Sequence, residues 1–410
     1  MKKSLQKKYA KLLVKSGVNL QKGQELTIYA SIEIADFVRL VVEEAYKAKA
    51  SKVSVEWNDE TISKLGIKYR SVESLGEVRE WEKAKLQDRV DHLPARLYIE
   101  SDDPDGMKDV DQAKVAKSRQ LRYPILKPYI DKLNNKEQWC IAGVPGKAWA
   151  KKIFPELSTS KAVEKLWEAI LMTSRVDENN PVKNWEVHNK ELQDRCNYLN
   201  DLGIKELHYT SSNGTDLRVG LLKESMWCGG DEETNTKKKV VFNPNIPTEE
   251  VFTSPDKTKT NGIVYSAKPL SYQGQLIEDF WVKFENGKAI DVGARKGEEL
   301  LRKMISMDEG AAFLGECALI AYDSPINNTG ILFFNTLYDE NASCHLALGT
   351  GFTNCFKGYE NMTDEEIYAK GINESMIHVD FMIGSKDLSI EAVTYDNKTV
   401  QIFKDGSWAF

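Results

Sequence analysis

The sequence predicts a two-domain protein, with an N-terminal α/β domain in residues 1–180 and a C-terminal β-rich α+β domain in residues 181–410. Three observations lead to this prediction. The chain has 410 residues, which is more than one hydrophobic core usually serves. Strand and helix patterns alternate in the first half, whereas strand patterns dominate the second half. A polar stretch around residues 173–185 separates the two halves.

In the first half, short apolar strands are separated by helical patterns. A basic amphipathic helix is predicted over residues 2–16, and a second helix over residues 32–50, because apolar residues recur there at helical spacing. The predicted strands are 25–30, 52–57, 96–101 and 138–143. Since parallel strands are joined by crossover connections that are usually helical, this alternation predicts a mostly parallel sheet covered by helices.

The second half opens with a predicted helix over residues 185–202 and contains one further clear helix at 296–307. Residues 280–293 read as a hairpin that turns at Asn286-Gly287, a dipeptide suited to the tight turns of hairpins. The other predicted strands are 206–211, 215–221, 238–243 and 262–267, with two or three more in 389–410. This pattern is typical of an α+β domain rich in antiparallel strands.

Composition limits the partners that the chain can have. With 41% hydrophobic and 29% charged residues, it resembles an average soluble domain. The net charge of −6, with no strongly basic segment beyond the N-terminal helix, argues against a nucleic-acid partner. The N-terminus lacks the apolar core of a signal peptide, and the apolar stretch 311–321 is too short to span a membrane. We therefore expect a cytoplasmic protein without a membrane partner, whose six cysteines, which lack CxxC spacing, stay reduced.

The segment MIHVDFMIGS, residues 376–385, carries the first candidate site. Side chains alternate along a strand, so His378 and Asp380 share one face, whereas the apolar residues Ile377, Val379, Phe381 and Ile383 face the other way. Imidazole with carboxylate suits Zn²⁺, Co²⁺ or Mn²⁺. The pattern leaves open a second interpretation, in which the two side chains form a hydrogen-bonded core pair without a metal.

Further candidates lie in apolar surroundings, where a lone charge is costly unless it is paired or bound to a metal. Glu316 is flanked by apolar residues, and Glu250 directly precedes an apolar pair. Glu340 lies five residues before His345, although Glu340 and Asp339 could instead be solvated loop acids. The candidate ligands are Glu250, Glu316, Glu340, His345, His378 and Asp380. Four carboxylates and two histidines exceed the needs of one tetrahedral ion and match a two-metal centre.

Four stretches, in this order, resemble the aminopeptidase T / aminopeptidase S / PepS family of bacterial metallo-aminopeptidases. They are NIPTEEVFTSP (245–255), LGECALIAYDSPI (314–326), NTLYDENASCHLALG (335–349) and HVDFMIGS (378–385). The resemblance runs over essentially the whole chain. It implies a cytoplasmic exopeptidase that releases N-terminal amino acids from peptides, and a homodimer with enclosed active sites in the C-terminal domains.

The resemblance also implies two divalent metal ions, commonly Zn²⁺ or Co²⁺, held by the six candidate ligands with Glu316 as the bridging carboxylate. One position departs from the family pattern, because Phe352 stands where the family carries a tyrosine. A phenylalanine cannot donate a hydrogen bond to a developing oxyanion, so that role falls to another group such as Thr353 or Tyr359, or is dispensable. This departure leaves open a non-catalytic peptide- or metal-binding homologue. A second alternative, from the same broad class of enzymes, is a metal-dependent amidohydrolase with a non-peptide substrate.

Overall fold

The computed structural model describes residues 2–177 and 179–410, and the chain separates into two compact units. The first unit comprises Met1–Val187 and Asp231–Pro247, and the second comprises His188–Gly230 and Thr248–Phe410. Segment Asp231–Pro247 thus packs with the first unit, although it lies beyond the expected division at residues 180/181. The predicted domains 1–180 and 181–410 stay a prediction.

A five-stranded parallel sheet forms the centre of the first unit. Strand Glu25–Ser31 pairs with Lys52–Asn58 on one side and with Ala95–Glu100 on the other. Trp139–Gly143 and then Asn245–Ile246 extend the sheet beyond Ala95–Glu100. The parallel sheet is confirmed. Its fifth strand was not predicted, because two residues cannot display a strand period and their partner strand is far away in the sequence.

Helices connect these strands, as parallel pairing requires. The α-helices that lie wholly in this unit are Lys3–Leu12, Ala35–Lys47, Glu60–Tyr69, Val72–Gly76, Glu80–His92, Gln112–Leu133, Lys147–Ile153 and Thr159–Thr173. A π-helical turn, Leu13–Gly17, and a 3₁₀ turn, Ile32–Ile34, border two of them. Helix Pro181–Leu202 begins in the first unit and ends in the second. The predicted strand 238–243 is reduced to Val241–Phe242, which pairs with Glu232–Glu233 in the first unit.

The second unit contains a nine-stranded antiparallel sheet, here called the large sheet. Its strands are Ile204–Thr210, Asp216–Gly220, Thr260–Tyr265, Leu270–Tyr272, Gln275–Glu285, Lys288–Lys296, Ser389–Thr394, Thr399–Lys404 and Ser407–Trp408. The predicted hairpin is confirmed, since Gln275–Glu285 and Lys288–Lys296 pair around Asn286-Gly287, where both residues have positive φ. The helix predicted at residues 296–307 is observed as Glu298–Met304.

A five-stranded antiparallel sheet, here called the small sheet, lies in the same unit. In spatial order its strands are His378–Met382, His345–Gly349, Leu314–Leu319, Val251–Thr253 and Cys228–Gly229. Short helices and turns border these strands, namely Gly310–Ala312, Asn327–Thr329, Thr336–Glu340, Thr353–Cys355, Tyr359–Asn361 and Asp364–Ala369. Apolar side chains of both sheets form one buried cluster, so one face of the small sheet belongs to the core of the unit.

None of the six cysteines, all within the part of the chain that the structure describes, forms a disulfide, and five of them are buried. Among residues 2–177 and 179–410, no helix combines the length and the apolar character that crossing a membrane requires.

Candidate metal centre

The candidate ligands lie on the face of the small sheet that is turned away from the core. On strand His378–Met382, Val379 and Phe381 belong to the core cluster. Because side chains alternate along a strand, His378 and Asp380 point to the opposite face. That face is also shielded from solvent, since Asp380 is only 6% exposed. The prediction of one apolar and one polar face is confirmed.

Strand register places Glu316 and Asp380, which lie on the two strands that flank His345–Gly349, in one row. Ala347 pairs with Glu316 on one side and with Asp380 on the other. A β-bulge between Leu314 and Glu316 shifts the register of this strand. The small side chain of Ala347 therefore separates the two acids, and little side-chain volume occupies the space between their carboxylates.

His378 contacts two carboxylates through one ring nitrogen. Its Nε2 atom lies 3.1 Å from Oε2 of Glu316 and 3.2 Å from Oδ1 of Asp380. Its Nδ1 atom lies 2.8 Å from the backbone oxygen of Thr350. A carbonyl oxygen can only accept, so Nδ1 carries the proton and donates it there. This hydrogen bond directs Nε2 of His378 towards the carboxylates, as in metal-ligating histidines.

His345 repeats this arrangement one strand away. Its Nδ1–H donates to the backbone oxygen of Glu340 over 2.8 Å. Its Nε2 atom lies 3.4 Å from Oε2 of Glu250 and 3.9 Å from Oδ1 of Asp380. Glu250 precedes strand Val251–Thr253 and is 8% exposed. The two histidines thus point their free nitrogens into one buried group of acids.

The carboxylates in this group affect one another's protonation. Burial and the charges of Glu316 and Asp380 raise the pKa of Glu250 well above its usual range. Burial and the charges of Asp380 and Glu250 likewise raise the pKa of Glu340. Burial lowers the pKa of His378, but Asp380 and Glu316 outweigh it and raise that pKa well above its usual value. Burial acts to raise the pKa of Asp380, but the charge of His378 outweighs it and lowers that pKa to about 2.

The donor set fits divalent cations. Two sets of three residues could each hold an ion. The first set is Glu250, Glu316 and His345, and the second is Glu316, His378 and Asp380. Within each set, one ligand atom from every residue lies within 4.8 Å of the others. Glu316 is shared by the two sets. The Oδ1 atom of Asp380 is buried and makes no hydrogen bond of acceptable geometry, which is costly unless a cation or a proton compensates it.

A protein-family model for thermophilic metalloproteases (M29) matches residues 2–408. The chain belongs to the M29 family. Among curated M29 relatives, it is 41% identical over 403 residues to aminopeptidase AmpS of Bacillus subtilis (strain 168), which covers 98% of both chains. It is 38% identical over 402 residues to aminopeptidase T of Thermus aquaticus, covering 98% of this chain and 97% of the relative.

A solved M29 structure shares the fold over the full length. Wild-type AmpT from Thermus thermophilus superposes with a TM-score of 0.90 at 36% identity, covering 100% of both chains. A second solved structure, a 2,5-dihydroxypyridine dioxygenase from Pseudomonas putida KT2440, has a TM-score of 0.52 at 12% identity, covering 99% of this chain and 96% of that one. The second likeness concerns the fold alone.

The structure also places the remaining candidates. Glu340 ends helix Thr336–Glu340 and belongs to neither three-residue set, although its carboxylate interacts electrostatically with the group. The neighbouring Asp339 accepts backbone N–H bonds from Phe333 and Asn335 and therefore organises a loop. The ring of Phe352, the position expected to depart from the family pattern, lies 4.9 Å from that of His378, measured between centroids.

Two buried polar residues at the site escaped sequence analysis. Asn341 donates to Oε1 of Glu340 over 3.3 Å, and it accepts from the backbone N–H of Glu249 over 2.8 Å. Thr248 donates to the same amide oxygen over 3.2 Å. Both residues adjoin candidate ligands in the sequence, but asparagine and threonine are common in loops, so adjacency alone was too weak a signal.

Proposed function

We propose that this M29 chain is a metallo-aminopeptidase that releases N-terminal amino acids from peptides with two divalent metal ions, zinc or cobalt. The observation that carries the proposal is the cluster of His345, His378 and three buried carboxylates, in which Glu316 belongs to both three-residue sets and which Glu340 adjoins. The names of relatives such as aminopeptidase AmpS support the choice of substrate and reaction. Four acids in a poorly hydrated space require compensating positive charge, and two divalent ions would supply it.

In this proposal, Glu250 and His345 would hold one ion, His378 and Asp380 would hold the other, and Glu316 would be available to both. Glu340 would be the sixth ligand. The hydrogen bonds from Nδ1 of the two histidines to backbone oxygens hold each ring in one tautomer, with Nε2 free to bind. Such ions would acidify a water molecule and polarise the peptide carbonyl.

Other side chains control access to the reacting atoms. The ring of Phe352 covers His378 on one side and contacts the ring of Phe252, with 5.2 Å between the centroids. This apolar wall would keep bulk water from the carboxylates and strengthen the electrostatic interactions among them. Since Phe352 has no hydroxyl, it contributes no hydrogen bond to the transition state.

The test is hydrolysis of leucine p-nitroanilide by the purified protein before and after chelation, with Co²⁺ and Zn²⁺ added back separately. Activity that is lost on chelation and restored by metal supports the proposal. If neither this substrate nor a longer peptide is cleaved under any metal, while metal and peptide still bind, a non-catalytic binding homologue replaces it. Cleavage of cyclic amides but not of aminoacyl amides would indicate an amidohydrolase with a non-peptide substrate.

The remaining expectations belong to this proposal as well. The protein would act in the cytoplasm as a homodimer, and residues 181–410 would form the catalytic domain beside an N-terminal domain of residues 1–180. Light scattering coupled to size-exclusion chromatography should give twice the chain mass of 46.5 kDa. A mass equal to one chain at micromolar concentration would contradict the dimer without affecting the proposed chemistry.

A further inference from the structure

Asn341 is a fully buried side chain whose four hydrogen bonds connect two segments that carry candidate ligands. Its Oδ1 atom accepts from the backbone N–H of Glu249 over 2.8 Å and from Oγ1 of Thr248 over 3.2 Å. Its Nδ2 atom donates to the backbone oxygen of Leu337 over 3.0 Å and to Oε1 of Glu340 over 3.3 Å. The residue is 0% exposed, so water cannot replace these partners.

The surroundings of Asn341 require an amide. An amide oxygen can accept two hydrogen bonds and an amide nitrogen can donate two, which matches the two donors and two acceptors observed. A carboxylate at this position would lose both donated bonds and place a negative charge next to Glu340. An apolar side chain of the same size would remove all four hydrogen bonds, of which those to Thr248 and Leu337 are fully buried, and losing a buried partner is costly.

The hydrogen bonds continue from Asn341 to the backbone of a candidate ligand. Oγ1 of Thr248 also accepts a long hydrogen bond of 3.4 Å from the backbone N–H of Glu250. The connection therefore runs from Glu250 through Thr248 and Asn341 to the carboxylate of Glu340. These two acids come from segments that are remote in the sequence and share no strand pairing.

We infer that Asn341 is a positioning residue for the metal centre, which sets the spacing of Glu250 and Glu340 through Thr248. The inference rests on the proposed function and adds to it the residue that preorganises two ligands contributed by different segments. Residues that orient metal ligands typically contribute 10- to 100-fold to metal affinity or activity. The effect of Asn341 should therefore appear in metal binding, separately from any effect on folding.

The experiment compares Co²⁺ binding, followed by its visible absorption under chelator competition, in wild-type protein, Asn341→Asp and Thr248→Val. We expect Asn341→Asp to weaken cobalt binding about 10- to 100-fold and to alter the absorption spectrum. Thr248→Val should cause a smaller loss, and Thr248→Ser, which keeps the hydroxyl, should restore wild-type binding. Thermal unfolding of the metal-free proteins is recorded in parallel.

Asn243→Asp is the matched control, because Asn243 is 3% exposed, donates to the backbone oxygen of Ser16 over 3.0 Å and lies in the first unit. It should lower the unfolding temperature without changing cobalt affinity. If Asn341→Asp binds cobalt within twofold of wild type with an unchanged spectrum, Asn341 is merely structural and the inference is overturned. If the wild-type protein itself binds no cobalt, the proposed metal centre fails first, and the inference fails with it.

Discussion

At the scale of single residues, the two candidate ligand histidines differ from the other histidines in how they are held. His345 and His378 each bond a backbone oxygen through Nδ1 and face carboxylates through Nε2. His208 also faces a carboxylate, with 2.7 Å between its Nε2 and Oδ1 of Asp216, but that acid is exposed. An exposed pair of this kind contributes little, whereas a buried histidine among acids has a strong electrostatic effect.

His378→Ala should therefore abolish metal-dependent turnover. The change removes one ligand and leaves the buried carboxylates of Glu316 and Asp380 without the group between them. We expect kcat/KM for leucine p-nitroanilide to fall by more than about 100-fold, beyond the effect of losing a residue that only orients a ligand. His208→Ala serves as the control and should retain wild-type rates. Full activity of His378→Ala would rule out a metal-binding role for this histidine.

Phe352→Tyr should raise kcat. The ring already lies against His378, and a hydroxyl there would supply the donor that the family pattern leads one to expect. A well-placed donor to an oxyanion contributes roughly 100-fold or more to kcat. We expect kcat to rise by up to about 100-fold and KM to change little, because the new hydrogen bond would form mainly in the transition state. Steady-state kinetics with the same anilide measure the change.

Phe352→Leu is the control for this substitution, since it keeps an apolar side chain but adds no donor. It should not raise kcat. An unchanged kcat in Phe352→Tyr would mean that oxyanion stabilisation in this protein comes from another group.

At the scale of elements, the hairpin of the large sheet depends on the backbone conformation of its turn. Gly287 has φ +86°, and a Cβ atom there would lie 1.7 Å from the backbone oxygen of Lys257. Gly203 also has positive φ, +59°, but a Cβ atom there would meet nothing within 4 Å. Alanine substitutions at the two positions therefore distinguish two costs. Both place a Cβ atom on a left-handed backbone, but only the one at Gly287 also creates a steric clash.

Gly287→Ala should lower the unfolding temperature more than Gly203→Ala. The left-handed conformation alone costs a residue with a Cβ atom about 1–2 kcal/mol, and this applies at both positions. At Gly287 the backbone must also move away from Lys257, which adds to the cost. Differential scanning calorimetry of the two variants measures the difference. Equal shifts would show that the hairpin accommodates the extra atom by moving as a unit.

At the scale of the whole molecule, we expect the acidic group to couple metal content to stability. Glu250, Glu316 and Asp380 are buried within a few ångströms of two histidines. Without metal, only protons on His378 and on acids with raised pKa values such as Glu250 would offset their repulsion. A ligand that binds only the folded state stabilises it by about 2.7 kcal/mol at 100 times its dissociation constant. The folded protein should therefore be more stable with metal than without it.

Chelation should accordingly lower the unfolding temperature by several degrees, and added Zn²⁺ or Co²⁺ should restore it. Calorimetry on dialysed samples measures the shift. Glu316→Gln, which alters the acid common to both sets, should be nearly insensitive to chelator. An identical unfolding temperature of the wild-type protein with and without chelator would contradict the coupling.

The sequence by itself determined the parts of the fold that rest on local patterns. Alternating strands and helices led to the parallel sheet of the first unit, and Asn286-Gly287 led to the hairpin. Period-two alternation also placed His378 and Asp380 on one face. Each of these features follows from residues close together in the chain, because side-chain direction and turn conformation are local properties.

Only the tertiary structure decided which remote segments meet. It joined Asn245–Ile246 to the parallel sheet of the first unit, and it arranged five of the six candidate ligands into two sets with Glu316 in both. It also gave Asn341 its four partners, which single-sequence patterns cannot indicate. The physical reason is that these contacts depend on strand order, register and a bulge, which are set when the core packs rather than by local residue preference.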